Sequence, residues 1–317
     1  VVLWHQLAEV TWRALLADVV ATPPKALVLS LIFTSLSYVT LSGYDFLAMA
    51  YIRKSLPRAH IGWVSFLAYA VANNVGFAAL SGASVRYRFY TPWGLTAGDV
   101  SLVVLSNSVT CWLGLLMLGG VSLVSAPNAV ATLPWPRWTV PVGWLFIGVA
   151  VAYVILVAIW RAPLRVRGFS VPSPRLRLAI AQLSVSAIDW TLAAAVLYVV
   201  LPPSPATFLN VLAAFLLAQL LGLASHIPGG IGVFEGLIVF GLSPFLTASQ
   251  LVPALVVYRA VYYVLPLSVA LIGLVVDEAL LRRHHAIRFT ASIGRITERM
   301  TPQMLATFTF VAGVVLL

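Results

Sequence analysis

Ser81-Gly-Ala-Ser-Val-Arg-Tyr-Arg88 and Pro228-Gly-Gly-Ile-Gly-Val-Phe-Glu235 place glycines, a proline and charge where the surrounding sequence would otherwise continue as apolar helix. Polar breaks of this kind at bilayer depth mark transport paths and discontinuous helices. Around them, 61% of the 317 residues are hydrophobic, 9% are charged and the mean hydropathy is +1.00. Several stretches reach the roughly 20 apolar residues that cross about 30 Å of hydrocarbon, and none shows the period-2 alternation of a membrane barrel. The expected fold class is therefore all-α, a polytopic transmembrane helical bundle. The net charge of +10 comes from basic residues between the apolar segments, so it reads as a topology signal and no nucleic-acid partner is expected.

Residues 1–4 read as the end of a spanning helix and 5–20 as an interfacial helix closed by Pro23-Pro24. Apolar stretches follow at about 26–51, 61–80, 99–125, 139–160, 178–201, 206–225, 229–246 and 249–281. Three connections are basic: Arg53, Lys54 and Arg58; Arg161, Arg165, Arg167, Arg175 and Arg177; and Arg282, Arg283, Arg288, Arg295 and Arg299. The positive-inside rule puts all three on the cytoplasmic side. That parity requires 61–97 to go in and come back, and 206–246 to do the same from the other face with its turn near His226 to Gly230. The expectation is two oppositely oriented re-entrant hairpins of broken helices, each buried in protein or facing a watery cavity.

A weak internal repeat supports an inverted-repeat arrangement. Gly43-Tyr44-Asp45-Phe46 precedes the first hairpin as Ala187-Ile188-Asp189-Trp190 precedes the second. Residues 1–301 are assigned to one transmembrane domain. The 16 apolar residues 302–317 cover only about 24 Å as helix and read as the start of a further span leading to missing C-terminal parts.

Three acidic residues lie well inside apolar stretches, Asp45, Asp189 and Glu235, and Arg259 is the arginine in the middle of a long span. Each costs several kcal/mol if left unpaired in lipid. Two readings stand: the charges pair and hold helices together, or they line a cavity for a charged head group. Arg86 and Arg88 bracket Tyr87 after an expected break at Ser81-Gly82. Their guanidinium groups suit a phosphate or snorkel toward lipid head groups. Ser81, Gly82, Pro228, Gly229 and Gly230 are the expected hinge positions. Asn73 and Asn74 offer amide hydrogen bonds to a cavity or to a broken helix end. His226 reads as a helix cap. Tyr258, Tyr262 and Tyr263 provide an aromatic wall for Arg259 or simple helix packing.

Cys111 is the single cysteine, which leaves no intrachain disulfide and no thiolate metal site, and no cofactor is expected. The sequence has no Walker loop, no His-Glu-x-x-His pair and no dinucleotide fingerprint following a strand. Ser225 and His226 are neighbours rather than a triad, so no catalytic residue is assigned.

Gly43-Tyr44-Asp45, Asn73-Asn74-Val75-Gly76, the 81–88 and 228–235 segments and Tyr258-Arg259 resemble the multiple-peptide-resistance family. These are bacterial phosphatidylglycerol lysyltransferases with a fused lipid flippase. The resemblance runs through nearly the whole chain and implies the flippase half of a two-part parent in the bacterial cytoplasmic membrane. There it would move lysyl- or alanyl-phosphatidylglycerol outward and confer resistance to cationic antimicrobial peptides. The implied partners are the lipid, the bilayer and a missing synthase domain; a homodimer is a separate expectation, tied to the scaffold reading below. The acyltransferase site would belong to the missing domain. Charge type then assigns the lipid amines to Asp45, Asp189 and Glu235, and the phosphate to Arg86, Arg88 and Arg259. Two other expectations stay open: a scaffold that positions the synthase, and a membrane enzyme acting on a lipid-linked sugar.

Overall fold

A computed structural model of the chain describes residue 19 and residues 21–277, apart from 76–77, 126–135, 161–163, 167–168 and 172. The run 302–317 lies outside the described residues, and so, apart from Val19, does the expected interfacial helix at 5–20. The chain falls into two compact units, residues 1–267 and 268–317. In the second unit residues 268–277 are described, and they are helical.

In order, the helices are α1 (Pro24–Ile52), α2 (Arg58–Val75), α3 (Ala78–Tyr90), α4 (Ala97–Ser125), α5 (Thr139–Ile159), α6 (Leu176–Val200), α7 (Phe208–Ala224), α8 (Val233–Leu242) and α9 (Ala248–Arg259). The last continues through a π turn, Ala260–Val264. Among the described residues, five helical runs are long and apolar enough to cross a membrane: Pro24–Ile52, Ala97–Ser125, Thr139–Ile159, Leu176–Val200 and Ala248–Asp277. The protein is thus a polytopic helical membrane protein, as its composition requires. Its described strands form one short antiparallel ribbon between α5 and α6, β1 (Leu164–Val166) with β2 (Phe169–Val171). The sequence reading treated that stretch only as a basic connection.

Local chemistry sets the helix ends. Pro23 caps α1 with Pro24 in the first turn, where its missing N–H costs nothing, and Arg53 closes the helix in a left-handed conformation. Thr96 and Asp99 bond reciprocally at the start of α4, with Thr96 N donating to Asp99 Oδ2 (2.9 Å) and Asp99 N to Thr96 Oγ1 (3.2 Å). Thr247 and Gln250 form the same device at α9, with Thr247 N donating to Gln250 Oε1 (3.0 Å).

The arrangement long helix, helix pair, long helix occurs twice: α1, α2–α3, α4, and then α6, α7–α8, α9. Within each pair the two short helices pack on one another, and the central contact of the bundle is α1 against α6. Gly43 on α1 lies against Val185 on α6, next to the two segments whose likeness suggested the repeat. The expected break at Ser81-Gly82 is not where the first pair divides. Helix α3 runs through both residues, and the division falls between Val75 and Ala78. Gly82 instead provides room: a Cβ there would meet Arg86 Nη1 at 2.9 Å, and Arg86 lies one turn further along the same helix. The second pair divides near the expected position, through a short 3-10 turn at Pro228–Gly230.

The larger core cluster gathers α6 to α9 around Phe215, which meets Trp190, Phe234 and Tyr258 edge to face. Helix α4 approaches α6 closely because Gly114 has no side chain: a Cβ there would lie 2.7 Å from the Ser186 carbonyl carbon. Replacing Gly114 by Leu is expected to destabilise the fold by about 1–3 kcal/mol through overpacking. Gly148 on α5 has nothing within 4 Å of an added Cβ, so Gly148→Leu should leave the unfolding midpoint in detergent unchanged. Equal midpoints for the two variants would contradict the assigned α4–α6 contact.

Candidate functional site

Among the described residues, three knots built on charged side chains interrupt the apolar interior. In the first, Arg86 on α3 grips Asp45 on α1 with two parallel bonds, Nε to Oδ1 (2.8 Å) and Nη2 to Oδ2 (2.7 Å). Both residues are buried, and this fork geometry is the strong form of an ion pair. Ser65 Oγ on α2 donates to Asp45 Oδ2 (2.8 Å) and the Tyr90 hydroxyl to Oδ1 (3.2 Å). The Arg86 guanidinium also lies 4.7 Å from the centre of the Tyr69 ring. Asn107 on α4, its amide turned to suit its neighbours, accepts from Arg86 Nη2 (3.2 Å) and donates to the Tyr44 carbonyl (3.0 Å).

The second knot centres on Asp189 in α6. Ser37 Oγ donates to its Oδ1 (2.7 Å) and the Tyr44 hydroxyl to its Oδ2 (3.1 Å), while Tyr262 in the π turn lies 3.0 Å from Ser37 Oγ. Asp189 is buried, yet among the described residues no Lys, Arg or His pairs with it. A buried carboxylate supported only by hydroxyls keeps most of the cost of leaving water.

In the third knot, Arg259 at the end of α9 donates from Nε to Glu235 Oε1 (2.6 Å) and from Nη1 to the Gly229 carbonyl (2.6 Å). Glu235 lies in the first turn of α8, and its Oε2 accepts from Gly232 N (2.7 Å). The ring centres of Phe234 and Tyr263 lie 5.1 and 4.4 Å from the guanidinium. Arg259 Nη2 is buried with no hydrogen-bond partner among the described residues. Gly229 and Gly230 both have positive φ, 60° and 62°, which lets the turn pass close to Gly222 and to the Asn73 carbonyl. The tips of the two helix pairs therefore meet.

A cavity of about 540 Å³ runs between the knots. Asp189, Arg86, Asn73, Asn107 and Gln219 contribute polar atoms to its wall, and Tyr44, Tyr69, Trp112, Trp190, Phe234, Tyr262 and Tyr263 its aromatic surface. Gly229 and Gly230 of the expected hinge line it too. Asp45, Glu235 and Arg259 stand behind the wall. Arg88 is exposed on α3, its guanidinium 5.7 Å from the centre of the Phe89 ring, and it does not line the cavity. Sequence reasoning missed Ser37, Tyr44, Tyr69, Gln219 and Asn107. The one available signal was the Ser30, Thr34, Ser37, Leu41, Tyr44 and Asp45 spacing, which lies along one buried face of α1.

These features define a polytopic helical membrane protein with a largely apolar, aromatic-lined cavity that carries a few buried polar groups. The chain belongs to the family described as the lysylphosphatidylglycerol synthase TM region, whose profile matches residues 1–270. It is similar to the uncharacterized protein slr0712 of Synechocystis sp., at 34% identity over 88% of this chain and 87% of that protein. It is also similar to the inner membrane protein YbhN of Escherichia coli K12, at 30% identity over 74% of this chain and 75% of that protein. A phosphatidylglycerol lysyltransferase of Staphylococcus haemolyticus is 28% identical over 85% of this chain, which spans only 31% of that enzyme. The membrane context and a lipid-related role follow from the family and the apolar helices.

Removing Asp45 as Asp45→Asn leaves the Arg86 charge buried without its counter-ion. The expected cost is about 3–5 kcal/mol, read as a lower unfolding midpoint in detergent. Asp45→Asn with Arg86→Met should recover a large part of that loss, since the double variant buries no charge. A double variant as unstable as the sum of the singles would contradict this coupling.

Proposed function

We propose that this chain translocates an aminoacylated phosphatidylglycerol, lysyl or alanyl, from the inner to the outer leaflet of a bacterial cytoplasmic membrane. The observation that carries the reading is Asp189, a buried carboxylate on the cavity wall that meets hydroxyls and no cation among the described residues. An ammonium group supplies the missing charge, and the tyrosine and tryptophan faces around it add cation–π attraction. Support for this lipid class comes from the family and from the relatives whose name is phosphatidylglycerol lysyltransferase.

The geometry supports one sorting of the sequence candidates. Asp45 is held by Arg86, Ser65 and Tyr90, and Glu235 by Arg259 and Gly232, which leaves Asp189 for the lipid amine. For the phosphate, Arg86 reaches the cavity wall while already neutralised by Asp45, so it binds as a hydrogen-bond donor more than as a net charge. Arg259, just behind the wall, keeps one nitrogen without a partner among the described residues next to the Gly229 turn and is the second phosphate candidate. Arg88, exposed beyond the cavity, would meet a head group at the membrane surface.

Helices α2, α3, α7 and α8 have 18, 13, 17 and 10 residues, each short of the roughly 20 needed to span hydrocarbon. We read the two pairs as re-entrant hairpins whose touching tips, at Asn73 and Gly229, form the gates. The aminoacyl transfer that makes the lipid is assigned to no residue of this chain. The matching region is about a third of the lysyltransferase named above.

The test is transbilayer accessibility of lysyl-phosphatidylglycerol amines to an impermeant amine reagent in proteoliposomes. The native chain should expose inner-leaflet lipid at least tenfold faster than empty vesicles, and Asp189→Asn, folded to the same midpoint, should fall to the empty-vesicle rate. Equal rates with native chain and empty vesicles would overturn the proposal and favour a scaffold role.

A further inference from the structure

Five residues that line the cavity are also exposed on the surface of the bundle: Leu80, Trp112, Leu223, His226 and Ile227. Four of them are large and apolar, with exposures of 68% for Leu80, 42% for Trp112, 38% for Leu223 and 42% for Ile227. They come from different elements: Leu80 from the first turn of α3, Trp112 from the middle of α4, and Leu223 and Ile227 from the end of α7 and the turn after it. Helices α4 and α7 pack together further along, where Leu115, Gly119 and Leu123 lie near Ala213, Leu216 and Leu220. The cavity reaches the surface at the other end of that contact, where α4 carries Val104, Ser108 and Trp112 at a spacing of four residues on its cavity face.

The contrast between mouth and interior decides what the opening faces. A mouth that opened to water would be rimmed by polar side chains, because exposing four large apolar groups to water is unfavourable. Here the polarity runs the other way: the rim is apolar except for His226, while Asp189, Arg86 and Asn107 lie buried inside. An apolar rim around an interior that holds the buried Asp189, Arg86 and Asn107 suits a molecule whose polar part enters and whose apolar part stays outside in hydrocarbon.

Resting on the transport reading above, we infer that the gap rimmed by Leu80, Trp112, Leu223 and Ile227 is a lateral portal for a phospholipid. The head group passes between α4 and the end of α7 into the cavity, and the acyl chains stay against the rim in the bilayer. The occupant is thus a two-part amphiphile, which the charged interior selects by its head group. A soluble amino acid or peptide would lack the apolar part that the rim contacts. Entry through this gap is limited by the bulk of the rim side chains, and the touching tips at Asn73 and Gly229 gate passage across the bilayer.

The portal is tested apart from transport. Ser108 lines the cavity, so Ser108→Cys with the native thiol removed by Cys111→Ser places a reporter inside. The probe is a phosphatidylethanolamine bearing a methanethiosulfonate on its head group, mixed into proteoliposomes of the full chain. The introduced thiol should react with this lipid, and adding Leu80→Trp and Leu223→Trp should slow that reaction at least tenfold. Ile155→Trp, on the exposed face of α5 and away from the cavity, should leave the rate within twofold. A water-soluble methanethiosulfonate, applied to each variant in detergent, checks that the cavity has kept its form.

Reaction with the soluble reagent but none with the lipid would overturn the portal, and so would a lipid reaction indifferent to the two tryptophans. Lipid labelling blocked by the tryptophans in a protein that fails to translocate lysyl lipid would uphold the portal and reject the transport reading.

Discussion

The constraint that organises the first half of the bundle is that the buried charges of Asp45 and Arg86 must meet each other. A carboxylate and a guanidinium taken out of water inside a chain this apolar are tolerable only when they face each other in full, and here two parallel bonds plus donors from Ser65 and Tyr90 meet that condition. The pair joins α1 to α3, Ser65 adds α2, and Asn107 adds α4. It thereby fixes the whole first half of the fold around one polar point. Gly82 follows from the same requirement, because a side chain there would occupy the space of the guanidinium.

The second half repeats the arrangement with a different electrostatic outcome. Asp189 lies on α6 and Asp45 on α1, each on a long helix that precedes a helix pair. The arginine of the second half, Arg259, turns instead to Glu235 and the Gly229 carbonyl. Among the described residues, one buried acid is therefore paired with a cation and the other is not. The π turn after Arg259 contributes by presenting Tyr262 and Tyr263 to the interior together, with Tyr262 within reach of Ser37 and hence of Asp189. Irregular helical turns of this kind are frequent at functional positions. In the proposed reading, this carboxylate is the group that would receive the cationic part of the lipid head group.

Much of this was legible in the sequence. The apolar runs fixed the helical class, and Asp45, Asp189, Glu235, Arg86 and Arg259 stood out because charge is rare in such segments. Which acid pairs with which arginine was not legible, since Asp45 and Arg86 are brought together by helix packing across 41 residues. The break was misplaced at Ser81-Gly82 because small residues that make space for a neighbouring side chain look, in one dimension, like residues that end a helix. The cavity's hydroxyl and aromatic donors were hidden for a related reason: tyrosines and serines in apolar helices are common, and only the three-dimensional arrangement shows which of them face a buried carboxylate. The basic connection after α5 concealed a β ribbon three residues per strand, too short for any alternation to register.

The central claim is that the cavity receives a cationic lipid head group at Asp189. It is tested most directly by an experimental structure of the chain in nanodiscs prepared with lysyl-phosphatidylglycerol. The account predicts head-group density inside the cavity, with an amine within hydrogen-bond distance of Asp189 and acyl density leaving past Trp112. Ordered lipid confined to the outer surface, over an empty or water-filled cavity at saturating lysyl lipid, would contradict it.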